Sequence, residues 1–430
     1  MEKAIQIDTS SRERIQSRLS KLFPAAAERD DRLSPHLGGL AEAKGRLDAV
    51  RPEQYAKTRN HLVGAVTQLS PYIRHRVMSP SQVRDAALMR VSHPRQAGKL
   101  VQELAWHDFF QRVYAAVGEE GVWDDLEPWK TGHGPSDYAD ELPAEIEAGE
   151  TGVDWVDHFA RQLSKEGWLH NHARMWLASY VVHVRRVRWQ EGARWFLRHL
   201  VDGDPASNNL SWQWVASTFS SKPYFMNRGN VVKNAGDLFP PHAKNDPTDK
   251  PYELLAADLF RDGPEATQDV GEGLGIDLKR VAAESSGGSR RQDGSVTWVH
   301  EDMLRPDHPA VDGTDAAVFV FDDEAIDDVG MTLKPLGFVV ECLADLQNVT
   351  LLRSNDFGGS VAAAVRSFAE GRPVVTGQTP SGRRRAIGRE LDATTIEDES
   401  FVELEGRVDL KRFSRYWRSA GKALHAAGHA

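Results

Sequence analysis

The chain has 430 residues, of which 40% are hydrophobic and 27% charged, and its formal net charge is −10. These values describe a globular protein of about two domains, and no apolar run approaches the ~18 residues that a membrane span requires. A single cysteine, Cys342, excludes an internal disulfide and an all-cysteine iron–sulfur or zinc site. The N-terminus lacks the apolar stretch of a signal peptide, so we expect an intracellular, cytoplasmic protein.

Acidic residues are concentrated in the C-terminal part of the chain. Residues 1–240 carry 31 Lys and Arg against 30 Asp and Glu, whereas residues 241–430 carry 22 against 33. Within the nearly neutral first part, the stretch from Arg51 to Lys99 holds nine basic and two acidic residues. Such a stretch fits phosphate binding and an ordinary solvated helix face equally well.

The first part of the chain has helical periodicity. Apolar residues recur three and four positions apart, for example at Leu100 and Leu104 and at Phe159 and Leu163. We therefore predict an all-helical domain over residues 1–262, with a long polar loop at 130–150. Residues 263–294 are rich in Gly, Ser, Asp and Arg and predict a flexible linker.

The pattern changes after the linker to short β-branched runs that alternate with helical stretches. Runs at 296–300, 316–321, 349–352 and 373–376 predict strands, and residues 332–345 and 358–370 predict helices between them. This alternation is typical of a small Rossmann-like domain with a parallel sheet, which we place at residues 295–430. The predicted fold is thus a helical domain followed by an α/β domain.

Ten of the twelve tryptophans lie between Trp106 and Trp214. Indole fills a core well, and it also stacks on flat bases and passes single electrons to a flavin. Density alone favours a tryptophan-rich core, and the polar residues between the indoles favour a stacking or redox site.

Polar side chains share faces of the predicted helices in this window. Asn171, Arg174 and Met175 lie at i, i+3 and i+4, which makes a poor core and a plausible ligand wall. His170 and His172 suggest a metal, but residues two apart on a helix point away from each other, and we predict no metal site.

Two carboxylates precede the tryptophans that end the window. Asp202 and Asp204 suggest acid–base catalysis, although Arg174 could neutralise one of them beside a cofactor. Trp212 and Trp214 are two apart and face different directions. Further upstream, Glu103 and Trp106 place a carboxylate beside an indole at i, i+3.

Several of these segments, in this order, resemble the flavin-binding domain of the DNA photolyase and cryptochrome family. The resemblance rests on residues 167–179, 202–214 and 223–225, on Thr-x-Leu-Ser at 67–70, and on Glu-x-x-Trp at 103–106. It covers roughly residues 40–230. Residues 298–311 and 316–322 resemble the start of the family's α/β domain, and 413–418 resemble its junction into the flavin domain. Because that α/β domain comes first in the family, the resemblance implies a circularly permuted order here.

The resemblance implies FAD as cofactor and a role for each matching residue. FAD would be contacted by Tyr55, Thr67, Leu69, Ser70, Asn171, Arg174, Asp202, Asp204 and Asn208. Asn208 would lie beside flavin N5 and could donate a hydrogen bond from its amide. Electrons would reach the flavin through Trp212, Trp189 and an outer tryptophan, for which Trp129 is our choice and Trp123 the alternative.

The implied activity is light-driven repair of UV-damaged DNA. Glu103, Trp106, Met175 and Trp214 would contact a flipped-out cyclobutane pyrimidine dimer, which reduced, photoexcited FAD would split. Met175 replaces the histidine of six-four photolyases and disfavours their substrate. His107 and His172 replace arginines common in the family, so a cryptochrome-like blue-light photoreceptor without repair activity is the alternative. An antenna chromophore in the second domain is possible, but its identity is not implied.

Overall fold

The computed structural model describes residues 3–261, 275–277, 287–288 and 291–429. Within the first of these ranges the chain forms fourteen α-helices and a π-helical turn at Tyr180–Val184. In chain order the helices are α1 Arg12–Leu22, α2 Pro24–Arg29, α3 Leu40–Ala49, α4 Pro52–Thr58, α5 Ser70–Arg74, α6 Pro80–Met89, α7 Gly98–Gly121, α8 Ala144–Ala148, α9 Asp154–Glu166, α10 Asn171–Ser179, α11 Trp189–His199, α12 Pro205–Ala216, α13 Arg228–Ala235 and α14 Tyr252–Leu259.

Strands and helices alternate in the C-terminal part. The strands are β1 Gly275–Asp277, β2 Gly287–Gly288, β3 Val296–Val299, β4 Ala317–Phe321, β5 Val349–Arg353, β6 Val374–Gly377, β7 Thr394–Ile396 and β8 Arg407–Asp409. The helices are α15 Asp323–Val329, α16 Leu333–Leu343, α17 Val361–Ala369, α18 Gly382–Glu390 and α19 Phe413–Ala426.

A parallel sheet forms the centre of this C-terminal part. Its strand order is β2-β7-β6-β3-β4-β5, and each neighbouring pair runs parallel, while β1 and β8 make a separate antiparallel pair. Every residue of β3, β4 and β6 is buried, as expected for strands that helices cover on both faces. The predicted class, a helical part followed by a parallel α/β part, is confirmed.

Local sequence signals explain where the functionally interesting helices begin. Asp204 caps α12 by accepting hydrogen bonds from the backbone N–H groups of Ala206 and Ser207, and Pro205 follows at the first helical position. His170 caps α10 through its Nδ1, which accepts from the N–H of His172 at 3.1 Å. Gly167, at φ +68°, ends α9 in the left-handed region and turns the chain into α10.

Contacts between the helical part and the sheet fix their relative positions. The N–H of Ile5 donates to the carbonyl of Leu351 on β5 at 2.8 Å. Asp30 accepts a hydrogen bond from the buried ammonium of Lys334 on α16. Tyr416 of α19 donates to Asp108 of α7 at 2.5 Å, so the last helix of the chain lies against α7.

Most predicted elements are present, with small differences at their ends. The strands predicted at 296–300, 316–321, 349–352 and 373–376 correspond to β3, β4, β5 and β6. The polar loop predicted at 130–150 is wrong in part, because it contains α8 and a 3-10 turn at Pro135–Asp137. Most of the predicted linker, 263–294, lies outside the described residues, so the domain boundaries stay predictions.

Candidate functional site

A buried ion pair joins α10 to the turn before α12. Arg174 Nη2 donates to Asp202 Oδ2 at 2.7 Å, and Arg174 Nε donates to the carbonyl of Leu169 at 3.0 Å. Asp202 is 7% exposed, and its other oxygen, Oδ1, is buried with no hydrogen-bond partner among the described residues. Leaving a buried carboxylate oxygen unpaired is costly, so Oδ1 is an acceptor for a donor that comes from outside the chain.

The second carboxylate of this segment has a structural task. Besides capping α12, Asp204 Oδ2 accepts hydrogen bonds from Gln111 Nε2 at 2.5 Å and Ser207 Oγ at 2.6 Å. Both oxygens are therefore engaged in fixing the start of α12. The hypothesis of acid–base catalysis by a pair of free carboxylates has no support here.

Asn208 lies on α12 where it crosses α11. Its amide Nδ2 donates to the carbonyl of Ala193 at 3.1 Å and to Asn209 Oδ1 at 3.0 Å. The carbonyl of Ala193 fixes this orientation, because the reversed amide would place two oxygens against each other. Both amide hydrogens are thus already used, and Asn208 offers an acceptor rather than the donor that the sequence suggested.

Trp212 fills the space between α11 and α12. It is 2% exposed, and its ring packs edge-to-face on Phe196 with centroids 4.9 Å apart. It also lies directly against Gly192, where a Cβ atom would overlap the six-membered ring. The missing side chain of Gly192 therefore allows the indole to lie where it does. Trp214, two residues on, is half-buried beside Tyr224, with centroids 5.3 Å apart.

Two further indoles lie next to the buried Trp189. The ring of Trp123 is nearly parallel to that of Trp189, with centroids 6.4 Å apart and an interplanar angle of 8°. Trp129 is linked to Trp189 through Asp125, whose carboxylate accepts hydrogen bonds from the Nε1–H of both. The structure thus brings both sequence candidates for the outer tryptophan to Trp189. It adds Asp125, which sequence reasoning missed.

The Thr-x-Leu-Ser loop at residues 67–70 is held by hydrogen bonds within the loop and from Arg46 and Trp168. Thr67 Oγ1 accepts from the N–H of Leu69 at 3.3 Å, and Gln68, at φ +51°, accepts from Arg46. Ser70 Oγ accepts from Trp168 Nε1 at 3.2 Å, which leaves the serine hydroxyl hydrogen able to donate.

His36 connects this loop to the ion pair. Its ring lies 5.4 Å from that of Trp168, and its electrostatic neighbours include Arg46, Asp202 and Arg174. Burial, followed by the charge of Arg46, lowers the pKa of His36, which therefore stays neutral near pH 7. No sequence signal links His36 or Arg46 to the motifs, because both belong to the segment before them.

Two of the four residues proposed for the lesion side, Glu103 and Trp106, lie in the first half of α7. Glu103 pairs with Lys99 at 2.9 Å and with Arg59 at 3.4 Å, close to the half-buried Tyr55 on α4. Trp106, one turn later, stacks on Phe413 of α19 with centroids 3.9 Å apart and planes 9° apart. One face of this indole is therefore covered by the last helix of the chain.

The shared face predicted on α10 is present. Asn171 Nδ2 lies 3.5 Å from Met175 Sδ, while Arg174 turns to Asp202. Burial, followed by the charge of His172, lowers the pKa of His170 to about 4. Across the described ranges, no group of three or more His, Cys, Asp or Glu side chains is arranged to hold a metal ion.

Two cavities lie between the helical part and the sheet, away from Asn208. The first, about 560 Å³, extends from Trp123, Arg194 and Asp204 to the carboxyl ends of β3 and β4. The second, about 590 Å³, is bordered by α7, the end of β6 and α18. Arg174, Asn208 and Trp212 line neither. No helix in the described part of the chain has the length and apolar character needed to cross a bilayer.

Comparison with known proteins locates a family domain in the helical part. Residues 100–249 match the FAD binding domain of DNA photolyase. This range contains α7 to α13, and with them the Arg174–Asp202 pair, Asn208 and Trp212.

Curated relatives cover similar stretches. The deoxyribodipyrimidine photo-lyase of Streptomyces griseus is 38% identical over 204 residues, which are 44% of this chain and 41% of the relative. That of Halobacterium salinarum is 30% identical over 253 residues, 53% of this chain and 52% of the relative. The chain therefore spans between two fifths and about half of the length of these relatives.

Two solved structures match over about half of the chain at 26% sequence identity. A class III photolyase from Agrobacterium tumefaciens matches with a TM-score of 0.39 over 50% of this chain and 45% of its own. A cryptochrome from Synechocystis matches with a TM-score of 0.40 over 47% and 44%. On the family domain and the sequence relatives, the helical part of this chain is similar to the FAD-binding part of DNA photolyases.

Proposed function

We propose that this protein binds FAD in its helical part and uses near-UV or blue light to split cyclobutane pyrimidine dimers in damaged DNA. Relatives named deoxyribodipyrimidine photo-lyase support the activity, although each is covered only in part. The observation that carries the proposal is the buried, unpaired Oδ1 of Asp202, in the domain that matches the flavin-binding family.

The polar atoms of this site fit a flavin. Asp202 Oδ1 is an acceptor without a donor, and the Asn208 carbonyl is a second acceptor on the neighbouring helix. An isoalloxazine ring carries N–H groups on its polar side, which such acceptors would bind. The Ser70 hydroxyl and the N–H groups of the Thr67 loop would hold the diphosphate.

When bound, FAD supplies the photochemistry, which is the transfer of one electron to the dimer and its return. The chain's own residues hold the flavin and deliver electrons to it. Trp212 is buried between α11 and α12, and Trp189, on α11 one turn before Gly192, lies next along the proposed path. Burial of both indoles keeps water away from that path.

Glu103, Trp106, Met175 and Trp214 are the proposed contacts of the flipped-out dimer. A damaged base pair is already weakly stacked, so its extrusion costs less than that of a normal pair. The two indoles offer flat apolar surfaces for the dimer. Trp106 would present the face that does not stack on Phe413.

The proposed activity is tested by exposing the FAD-loaded, reduced protein to dimer-containing DNA in light and in darkness. Loss of dimers only in light supports repair. Intact dimers together with efficient photoreduction of FAD would instead identify a cryptochrome-like photoreceptor. A purified protein that takes up no FAD on reconstitution would refute both.

Replacing Trp106 tests the lesion site separately from the flavin site. Trp106→Ala should weaken binding of dimer-containing DNA about tenfold or more and leave FAD bound, because base–aromatic stacking contributes about 1–3 kcal/mol. Trp417→Ala is a matched control, since Trp417 is also a ring neighbour of Phe413, with centroids 6.0 Å apart. Release of FAD by Trp106→Ala would make Trp106 a core residue instead.

We also propose that the two parts of the chain stand in exchanged order relative to the family. In support, β3, the first strand after residue 290, lies in the middle of the sheet, with β4 and β6 on its two sides. A rearranged chain that starts at residue 291 and joins residue 429 to residue 3 through a flexible linker of ~30 residues, which spans ~30 Å, should bind FAD as tightly as the original. Failure to fold would contradict the exchange.

An antenna chromophore, if this protein uses one, is expected in the 560 Å³ cavity at the carboxyl ends of β3 and β4. Ligands of open parallel sheets bind at that edge. Its charged lining is largely paired, by Arg74 with Asp302, Arg384 with Glu301 and Arg383 with Asp322. A largely neutralised lining favours a ligand of low charge.

A further inference from the structure

Asp125 holds two tryptophans by their indole nitrogens. Its Oδ1 accepts from Trp189 Nε1 at 2.7 Å, and its Oδ2 accepts from Trp129 Nε1, also at 2.7 Å. Trp189 is fully buried, whereas Trp129 is half-buried and the Asp125 side chain reaches solvent. One carboxylate therefore connects a buried indole to an outer indole and to water.

The loop that carries Asp125 is fixed to the helices of the flavin site. The N–H of Leu126 donates to Gln213 Oε1 at 3.1 Å, and Gln213 is the neighbour of Trp212 on α12. Gln190, the neighbour of Trp189 on α11, donates to the carbonyl of Trp123 at 3.2 Å. The carboxylate is thus held in place by both helices that carry the inner tryptophans.

Charge distinguishes the two outer indoles. The guanidinium of Arg194 lies over the ring of Trp123, 4.9 Å from its centroid. A positive charge over an indole makes removal of an electron from it harder. Trp129 has the opposite environment, because its N–H donates to a carboxylate and its ring packs against that of Tyr138 with centroids 4.2 Å apart and planes tilted by 33°.

We propose that Asp125 is the proton acceptor of the tryptophan chain and directs the oxidising equivalent to Trp129 rather than Trp123. This inference rests on the proposed flavin photochemistry. When Trp189 has lost one electron towards the flavin, an electron moves from Trp129 to Trp189. The Nε1–H bond of Trp129 then breaks and its proton forms an O–H bond with Asp125 Oδ2.

The products of this step are a neutral tryptophan radical and a neutral carboxylic acid. Asp125 passes the proton to water, which its exposed position allows. Loss of the proton prevents return of the electron, because the neutral radical is a weaker oxidant than the cation. A thiol reductant in solution later restores the indole by supplying one electron while a proton returns to nitrogen.

The hydrogen bonds are tested first on the protein without flavin. In protein labelled with ¹⁵N at its indole nitrogens, Asp125→Asn should shift the Nε1–H resonances of Trp189 and Trp129 and speed the exchange of both with deuterium. Asp124→Asn, a change of the exposed neighbouring carboxylate, should leave both in place. Unchanged resonances in Asp125→Asn would overturn the geometry on which the proposal depends.

The proton transfer is tested by flash photolysis of the FAD-loaded protein, in which the cation and neutral radicals of tryptophan absorb at different wavelengths. Asp125→Asn should slow formation of the neutral radical about tenfold or more, as loss of a positioned base does, and shorten its lifetime. Asp125→Glu should restore the rate of neutral radical formation in part. Trp129→Phe should abolish the neutral radical, whereas Trp123→Phe should leave it unchanged.

Each outcome separates this inference from the proposed function. Neutral radical formation that is equally fast in Asp125→Asn and Asp124→Asn overturns the role of Asp125 and leaves repair untouched. Loss of the radical in Trp123→Phe but not in Trp129→Phe overturns the choice of path. If Asp125→Asn fails to fold, Trp129→Phe still decides, because it removes one donor and keeps the carboxylate bonded to Trp189.

Discussion

Gly192 gives a sharp test of how closely α11 and α12 pack around Trp212. In Gly192→Ala, the added Cβ would lie 2.9 Å from Cζ2 of Trp212 and closer still to Cη2 and Cζ3. Alanine favours a helix over glycine by about 0.5–1 kcal/mol. Overpacking of a full core costs about 1–3 kcal/mol, and Phe196 on the ring's edge leaves the indole no room to retreat. The clash should therefore outweigh the gain in helix propensity.

We expect Gly192→Ala to lower the free energy of unfolding by roughly 1–2 kcal/mol and the Tm by roughly 1–2 °C. FAD retention should fall as well, because Trp212 must move. Gly45→Ala is the matched control, since Gly45 is exposed within α3 and its Cβ would meet nothing within 4 Å. Both variants are compared by their Tm in thermal unfolding and by their flavin content. A rise in Tm for Gly192→Ala comparable to that for Gly45→Ala would refute the packing argument.

Two other predictions concern charge. Arg174→Met leaves the buried Asp202 without its cation, which should lower the free energy of unfolding by about 3 kcal/mol or more and release FAD. Combining Arg174→Met with Asp202→Asn should recover most of the lost Tm. Equal Tm values for the single and the double variant would contradict this. His75 and His183 are fully buried, and burial lowers the pKa of each to about 4, so both are neutral in the fold and charged when unfolded below about pH 6.5. Their contribution to stability is complete above pH 6.5 and should fall by about 1.4 kcal/mol per pH unit per histidine between pH 6.5 and 4. Tm measured against pH should flatten in His183→Gln, and an unchanged slope would exclude His183 as a source.

The sequence predicted those features that depend on local order. Strands β3 to β6 were predicted from β-branched runs between helical stretches. The cap at Asp204 and Pro205, where α12 begins, is a local signal of the same kind that the sequence analysis did not use. The pairing of Arg174 with Asp202 was implied by the resemblance, because each residue belongs to a matching motif. The strands and the cap are determined by residues within one element, whereas this pairing joins two motifs.

Contacts between distant segments were not predictable in this way. Asp125 meets Trp189 across 64 positions, and Trp168 packs against His36, which lies in a segment that precedes every motif. The covering of Trp106 by Phe413 joins the middle of the chain to its end. Neither the hydrophobic periodicity nor the helix caps in the sequence indicate these contacts, because the contacts form only when the helices and the sheet pack together.

The tryptophan-rich window shows why density alone left two interpretations open. Trp195 is fully buried, and its Nε1–H has no hydrogen-bond partner among the described residues, which costs free energy. Trp189 is equally buried, but its Nε1–H meets the carboxylate of Asp125. The two indoles lie six residues apart on one helix, and no sequence pattern distinguishes their roles. The partner of each indole nitrogen distinguishes the two residues. The window is therefore a core in part, and at Trp189 and Trp129 the indoles also meet a carboxylate, as the proposed electron transfer requires.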